Sequence, residues 1–402
     1  LAAALFVATV ALFQVGWFAE VFGAPDPLET AWRDWIQFHR TALRFVSGQA
    51  DEIYPVAFLD DGRPEFSDGF FFLYPPWVIW VTLPLSLLSR MAAYLACAGV
   101  AGLGVLLASW GMLRGLGVRG GQCRLFLLGT MASAPWNGAV ILGHLSALLI
   151  LSPALAVLAW ARRRPFLTGC ALSLLLTKPN WGLPLLAFLL VGGRWREVGG
   201  FLLGGALLFL VSLPLGPGLW MEWLQTMAGY RALALDATPP WKQGTLFASL
   251  QSLLQRPGSD PVVSISWVLL ALGGLGWTCL AWAKGGGGSG RFPRLLGVSL
   301  LALLVFNPYA YFYDILLVTP MALVLWTQPT SYGSQRLRRG ARVACLVTYS
   351  WLFFQYLLLM ESAPSLAGIG FSVWLLFELA DLRPISVSRQ QKPKKSIDLL
   401  EP

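Results

Sequence analysis

Charge is what this chain has least of. Asp, Glu, Lys and Arg make up 12% of its 402 residues, apolar residues make up 56%, and the mean hydropathy is +0.64. So little polar surface cannot cover a soluble globule of this length, which excludes a water-soluble enzyme and reads as a polytopic membrane protein. Cysteine is sparse as well. Cys97, Cys123, Cys170, Cys279 and Cys345 are an odd number, scattered through apolar runs without close spacing, so neither a disulfide framework nor a zinc site is indicated. The glycine run 285–288 lacks both a preceding strand and the Lys-Ser/Thr of a phosphate loop, and reads as a cytoplasmic linker. No inverted repeat of hydropathy relates the two halves, as many transporters would require.

The charge that is present is sorted along the chain. The formal net charge is +9, and its basic residues fall in short loops between apolar runs: 162–164, Arg194 with Arg196, 284–294, 336–342 and the tail 383–395. In a soluble protein that excess would suggest nucleic acid; here these are the loops that the positive-inside rule keeps in the cytoplasm. Acid is concentrated in one early island, 24–71, which holds Asp26, Glu29, Asp34, Asp51, Glu52, Asp60, Asp61, Glu65 and Asp68 with four Arg and no Lys. It closes with Leu73-Tyr74-Pro75-Pro76-Trp77 and reads as the first loop on the outer side.

A membrane span needs about 20 apolar residues. Segments 1–22, 72–88, 91–113, 144–161, 198–215, 264–283, 343–360 and 366–379 qualify, and 1–22 reads as a first span, since no basic flank or small-residue cleavage site accompanies it. Others are short or interrupted: 165–177 and 181–193 flank Lys178-Pro179-Asn180, 295–306 and 315–326 flank Asn307-Pro308-Tyr309, and 125–142 breaks at Pro135-Trp136-Asn137-Gly138. Broken helices at membrane depth are tolerated where they line a polar cavity or pack in protein. The expected architecture is therefore all-α, with about 11–13 membrane segments. It divides into a first span at 1–23, the first outer loop with amphipathic helices at 24–71, a bundle with broken helices at 72–215, a second outer segment at 216–263, a C-terminal bundle at 264–381 and a basic cytoplasmic tail at 382–402. If 1–22 starts in the cytoplasm and the break at Pro135 returns to the outer side, every basic loop from Arg162 onward falls inside. Asp34, Lys178 and 307–314 then share the outside. On that count Arg114, Arg119 and Arg124 lie outside, against the rule.

Ordered motifs carry a resemblance. Trp32-Arg33-Asp34-Trp35, Gly48, Tyr54 and Tyr74-Pro75-Pro76, then Gly143-His144-Leu145-Ser146, the basic 162–164, Gly169 and Lys178-Pro179, and finally Asn307-Pro308-Tyr309 with Tyr313-Asp314, together resemble glycosyltransferase family 87. These are membrane-embedded enzymes of GT-C type that include bacterial polyprenyl-phosphate-mannose-dependent mannosyltransferases. The chain departs from the family pattern at His144, where Gln is expected, and at Lys242-Gln243-Gly244-Thr245, where Asn-Gln-Ser is more typical.

The resemblance implies transfer of a hexose or pentose from a polyprenyl phosphate to a hydroxyl of a lipid or glycan acceptor, with inversion, at the extracytoplasmic face of the plasma membrane. No cofactor is called for, although a divalent metal is not excluded, and the partners are the lipid-linked sugar, the acceptor and membrane lipid rather than nucleic acid. An attacking hydroxyl must lose its proton to a base, the role that falls to Asp34. Trp32, Trp35, Ile36, Phe38, Leu43 and Phe45 would lay an amphipathic helix in the membrane interface, with Arg33, Arg40 and Arg44 facing out; the plainer reading of Asp34 is a loop carboxylate paired with Arg33.

The phosphate leaving group needs cations, for which Lys178, Lys242, Arg231 and Arg256 stand on the outer side. Lys178 interrupts an apolar run, which favours a polar cavity; the plainer reading is a side chain that snorkels to the interface. Asn180 and His144 are further candidates for phosphate or sugar. Tyr309, Tyr313 and Asp314 suit sugar hydroxyls, and an aromatic belt would account for the tyrosines but not for Asp314. His39, Trp220, Trp223 and Trp241 read as interfacial, and Tyr74-Pro75-Pro76 as a stiff helix start. A transporter or flippase for a lipid-linked sugar is the alternative, and a non-catalytic scaffold would need neither Lys178 nor the 307–314 cluster.

Overall fold

In the computed structural model the described residues are 34–54, 72–131, 133–237, 243, 245–285, 291–328, 332–357 and 366–382. The expected first span 1–22, Trp32, Arg33, much of the acidic island, Trp241, Lys242, most of the glycine run and the tail from 383 lie outside them. Regular structure among the described residues is helical, and a single antiparallel bridge joins Gln243 to Tyr311. The protein is an all-α polytopic membrane protein.

The helices are α1 (Asp34–Val46), α2 (Val78–Thr82), α3 (Arg90–Gly115), α4 (Gly121–Met131), α5 (Ala134–Ile141), α6 (Leu151–Ala161), α7 (Pro165–Leu172), α8 (Pro179–Val191), α9 (Trp195–Ser212), α10 (Gly218–Ala237), α11 (Leu246–Leu254), α12 (Pro261–Gly285), α13 (Phe292–Phe306), α14 (Thr319–Thr327), α15 (Gln335–Leu357) and α16 (Ala367–Asp381). By length and composition α3, α12 and α9 with its short extension to Leu215 can each cross a membrane alone. Other apolar paths are built from shorter helices and 3-10 stretches: Leu145–Ile150 leads into α6, Ser173–Thr177 lies between α7 and α8, and Phe312–Val318 leads into α14. Starts are capped from the sequence: the Ser89 hydroxyl accepts the Ala92 N–H, Ser133 accepts that of Trp136, and Thr245 accepts that of Ala248 at 3.2 Å.

At the centre stands α13, whose side chains from Phe292 to Val305 are all buried. A helix apolar all round is stable only when other helices enclose it, and α8, α12, α14 and α16 do so. Without a hydrophobic drive between helices in lipid, small residues set how closely they approach. Side chains added at Gly169 or Gly200 would collide with the carbonyls of Glu197 or Phe166, so α7 and α9 cross with their backbones in contact.

Two sequence expectations need correction. The segment 72–88 is not a span. Its α2 is five residues long and passes into a 3-10 stretch at Leu83–Leu87 that contains Pro84. That piece is about half the length needed to cross. Both of its ends stay at the α1 side: Tyr54 donates its hydroxyl to the Tyr74 carbonyl at 2.6 Å, and His39 Nε2 donates to the Leu88 carbonyl at 3.2 Å. With one crossing fewer, α3 runs from the α1 end to the opposite end, where the Gln328 side-chain amide donates to the Leu116 carbonyl. Arg114, Arg119 and Arg124 therefore lie at the same end as the other basic loops, and the exception to the charge rule disappears.

The second correction concerns α1, which does not lay its apolar face in the interface. Trp35, Phe38 and Ala42 are buried against the protein, with Tyr54, Phe72, Tyr74, Tyr94 and Trp223 in the same cluster; Leu43 and Val46 remain exposed beside Arg40. Trp223, which had read as a membrane anchor, donates its indole N–H to the Leu73 carbonyl at 3.1 Å instead.

The corrected path is open to a labelling test. With the five native cysteines replaced, Arg119→Cys and Gln335→Cys should react with an impermeant thiol reagent from one face of the membrane and Ser259→Cys from the other. Joint labelling of Arg119→Cys and Ser259→Cys from one face would contradict it.

Candidate functional site

Three breaks in the helices meet at the α1 end of the bundle. The chain after α7 tightens into a 3-10 turn, Ser173–Thr177, and opens at Lys178, whose extended backbone (φ −123°, ψ 93°) precedes Pro179 at the first position of α8. Proline suits that position because its missing N–H would have had no helical partner. Gly182 lets α8 fold back tightly, since a Cβ there would lie 2.8 Å from the Leu176 nitrogen. The second break, Phe312–Val318, carries Tyr313 and Asp314, and the third, Leu145–Ile150, follows His144. A 3-10 stretch inside a helical path often marks a functional hinge or a sequence under strain.

These turns bring distant residues into contact. Lys178 Nζ donates to Asp314 Oδ1 at 2.6 Å, a pair 136 residues apart in the chain, with side chains 14% and 1% exposed. The other oxygen, Oδ2, accepts the Tyr311 N–H at 3.1 Å, so both carboxylate oxygens are fixed. Lys178 Nζ also lies over the Tyr313 ring, 5.1 Å from its centroid, and the His144 imidazole stacks on that ring at 4.1 Å. Tyr311 extends the stack at 5.5 Å and an interplanar angle of 15°. On the far side of His144 the Tyr74 hydroxyl lies 3.4 Å from Nε2. Trp77 donates its indole N–H to the Thr177 hydroxyl at 3.5 Å, which joins the end of the first loop to the Lys178 turn. Near the second break, Asn307 Oδ1 accepts the Tyr309 N–H, while its buried Nδ2 has no hydrogen-bond partner among the described residues, the condition a ligand hydroxyl would relieve.

Asp34 is the first residue of α1. The next residue, Trp35, donates its N–H to the Leu142 carbonyl at 3.1 Å. Gly143 makes that approach possible: its φ is +56°, and a Cβ on it would sit 3.0 Å from the Trp35 Cβ and 3.2 Å from that of Cys97. The Phe38 ring meets the His144 imidazole edge-on at 5.7 Å. The first turn of α1 is thus packed onto the loop that presents His144. The Asp34 side chain itself lies outside the described residues.

Of the residues expected from sequence, His144, Tyr313, Lys178 and Asp314 form one contiguous group. Asn180 is exposed on the first turn of α8, and Tyr309 is half-buried in the 307–314 turn. Lys242 is outside the described residues, although its neighbour Gln243 is buried and bridged to Tyr311. The side chain of Arg231, on α10, is likewise not described. Arg256 points to Asp260 at 3.0 Å on the exposed surface, where the Val262 backbone N–H, with Arg256 behind it, holds the Asp260 carboxyl below its usual range.

Sequence reasoning named Tyr54 and Tyr74 in its ordered motifs without a side-chain role for either, and passed over Tyr311. It also missed a second polar cluster at the opposite end. There Arg294 donates to Glu378 (2.9 Å) and Asp381 (2.8 Å), the Tyr332 hydroxyl donates to Glu378 at 2.7 Å, and the Arg294 guanidinium lies 3.8 Å from the Tyr332 ring centroid. A Glu and an Arg within or beside apolar segments were the available signal. That cluster is internally matched and ties α13 to α16.

Comparison with known families adds an independent finding. The sequence model of glycosyltransferase family 87 matches residues 72–308, which include His144 and Lys178 but neither Asp34 nor Asp314. A comparison with curated proteins finds no match to the chain.

The ion pair itself is testable without a substrate. Removing one partner of a buried pair leaves an uncompensated charge and costs about 3–5 kcal/mol, whereas removing both costs much less. Lys178→Met and Asp314→Asn should each lower the melting temperature of the purified protein clearly, and the double variant should recover most of the loss. Additive losses would show that the two side chains are not coupled.

Proposed function

The chain belongs to glycosyltransferase family 87, and from that membership we propose that it transfers a sugar from a polyprenyl phosphate to a hydroxyl of a lipid or glycan acceptor, with inversion, at the extracytoplasmic face of the plasma membrane. The observation that carries the reading is the convergence of the α1 start, His144, Tyr313, Lys178 and Asp314 on one end of the bundle. That end is opposite the basic loops 162–164, 291–294 and 336–342, which positive charge keeps in the cytoplasm. Mannose is the first sugar to test, because the resemblance drawn from the ordered motifs includes mannosyltransferases.

In this mechanism the acceptor oxygen attacks the anomeric carbon from the face opposite the phosphate. The bond from that carbon to the phosphate oxygen breaks, and the hydroxyl proton passes to the Asp34 carboxylate. The departing polyprenyl phosphate carries a charge of about −2 and is met by Lys178. An ammonium has three donors, of which Asp314 accepts one. Asp314 holds the lysine aimed while no phosphate is present, and Tyr313 and Tyr311 give a partly apolar wall beside which sugar C–H groups can rest. The donor phosphate is a single one, which makes a divalent metal less necessary than for a diphosphate donor, and His144, Asn180, Lys242 and Tyr309 remain candidates for contacts to its sugar and phosphate.

The test is transfer in membranes from radiolabelled polyprenyl-phosphate mannose, glucose and arabinose, comparing the natural chain with Asp34→Asn. At least one donor should be used by the natural chain, and Asp34→Asn should lower the rate by about 10²–10⁴ while expression stays near normal. Retention of more than about a third of the rate would remove Asp34 from proton transfer.

A further inference from the structure

We propose that α10 carries a subsite for the hydroxyls of the acceptor, built from Glu222 and Thr226 and separate from the Lys178 site. The inference rests on the transfer reaction proposed above and names the acceptor class, a lipid or glycan with a sugar or polyol head.

Both side chains hold polar atoms that the fold leaves unmatched. Thr226 is 1% exposed, yet its hydroxyl has no hydrogen-bond partner among the described residues. A helical threonine commonly satisfies itself on the carbonyl four residues back, as Thr348 does on Ala344. Glu222 is half-buried, and its Oε2 is enclosed without a donor. Residues four apart in a helix stand one above the other, with about 6 Å between their Cβ atoms, so the two unmatched groups share one face of α10. One turn earlier that face opens. Gly218 is exposed, and a Cβ on it would have Glu222 Oε1, at 3.9 Å, as its one neighbour within reach.

The start of α10 is held against the first loop, close to the Lys178 turn. Trp223 donates to the Leu73 carbonyl at 3.1 Å, and the Trp220 ring packs on Trp77 at 5.2 Å, the same Trp77 that donates to the Thr177 hydroxyl. Burial, and after it the Glu222 charge, holds the Tyr54 hydroxyl well above its ordinary range; burial, and after it Asp51, raises the Glu222 carboxyl. The Tyr54 hydroxyl is already given to the Tyr74 carbonyl. These neighbours add negative character around Glu222 rather than relieve it, and a donor is what the carboxylate lacks.

Ligand hydroxyls supply that donor. A carboxylate only accepts, whereas a threonine hydroxyl both donates and accepts. One hydroxyl of a sugar can donate to Glu222 Oε2 while another, about one helical turn away, exchanges a hydrogen bond with Thr226. A metal ion is the poorer fit, since no three His, Cys, Asp or Glu side chains come together among the described residues. In the proposed reaction the donor phosphate is met by Lys178 and the acceptor attacks from the other side of the donor sugar. A hydroxyl-binding face beside the Lys178 group, and not within it, therefore suits the acceptor.

The experiment measures binding to the purified protein in lipid nanodiscs, beside its melting temperature. The probes are octyl α-mannoside and octyl β-glucoside, with 1-octanol as the control, and the donor of the three-sugar panel that is transferred best. At least one octyl glycoside should bind saturably, and octanol should not. Thr226→Val should weaken that glycoside about fivefold and Glu222→Ala about tenfold, with the donor Kd within about twofold. Thr226→Val keeps the side-chain shape and removes an unmatched hydroxyl, so the melting temperature without ligand should hold or rise. A clear fall in that temperature, glycoside binding that both variants retain, a loss of donor affinity in place of glycoside affinity, or no saturable glycoside binding by the natural chain overturns the subsite. Failure of all three donors to be transferred would instead overturn the reaction while leaving the glycoside result standing, so the two failures are separable.

Discussion

A charged lysine cannot rest in a low-dielectric interior without a partner, and the Lys178–Asp314 pair is the constraint around which this end of the bundle is arranged. Desolvating the two ions costs several kcal/mol each, which their attraction offsets only with good geometry and with the remaining polar atoms matched. The geometry is good: 2.6 Å from Nζ to Oδ1, the second oxygen on the Tyr311 N–H, and the Tyr313 ring beneath the ammonium. To deliver the two residues from opposite parts of the chain, both helical paths must break at the same depth. The 3-10 turns Ser173–Thr177 and Phe312–Val318 are those breaks.

The two ends of the bundle use charge differently. At the far end, Arg294 is enclosed by Glu378, Asp381 and Tyr332, and main-chain N–H groups of Gly333 and Ser334 complete the Asp381 carboxylate. Every strong acceptor there is spoken for, as befits a joint between helices. At the α1 end the groups are aimed at one another but less fully matched: Asn307 Nδ2 has no partner among the described residues, and the Lys178 ammonium brings three donors to one carboxylate oxygen. In the proposed function the sugar and the acceptor hydroxyl would engage unmatched donors such as these.

The sequence shows the breaks and, by counting crossings, that Lys178 and 307–314 share a face, but not that they touch. Lys178-Pro179-Asn180 and Asn307-Pro308-Tyr309 are visible because they interrupt apolar runs, and the early carboxylate island is visible by its contrast with everything else. That Lys178 pairs with Asp314 is a contact across 136 residues, which no local pattern encodes. The 72–88 segment was misjudged because hydropathy measures composition, while Pro84 and the 3-10 geometry decide length. An amphipathic pattern likewise cannot say whether its apolar face meets lipid or protein. For α1 it meets protein, which turns an expected surface anchor into an element whose first turns pack on the loop that carries His144. Tyr74 was read as part of a stiff Pro-Pro helix start, and its hydroxyl was overlooked because tyrosine beside proline is explained well enough by backbone stiffness alone.

In the proposed mechanism the donor phosphate, Lys178 and the start of α1 meet at one end of the bundle. The most direct measurement is an electron cryo-microscopy structure of the protein in lipid nanodiscs with a polyprenyl-phosphonate sugar, whose C–P bond resists transfer. The phosphonate should lie within about 4 Å of Lys178 Nζ, with the sugar between it and the first turn of α1 beside His144. A headgroup seated at the Arg294 end, or one that leaves Lys178 and Asp314 paired and out of contact, would contradict it.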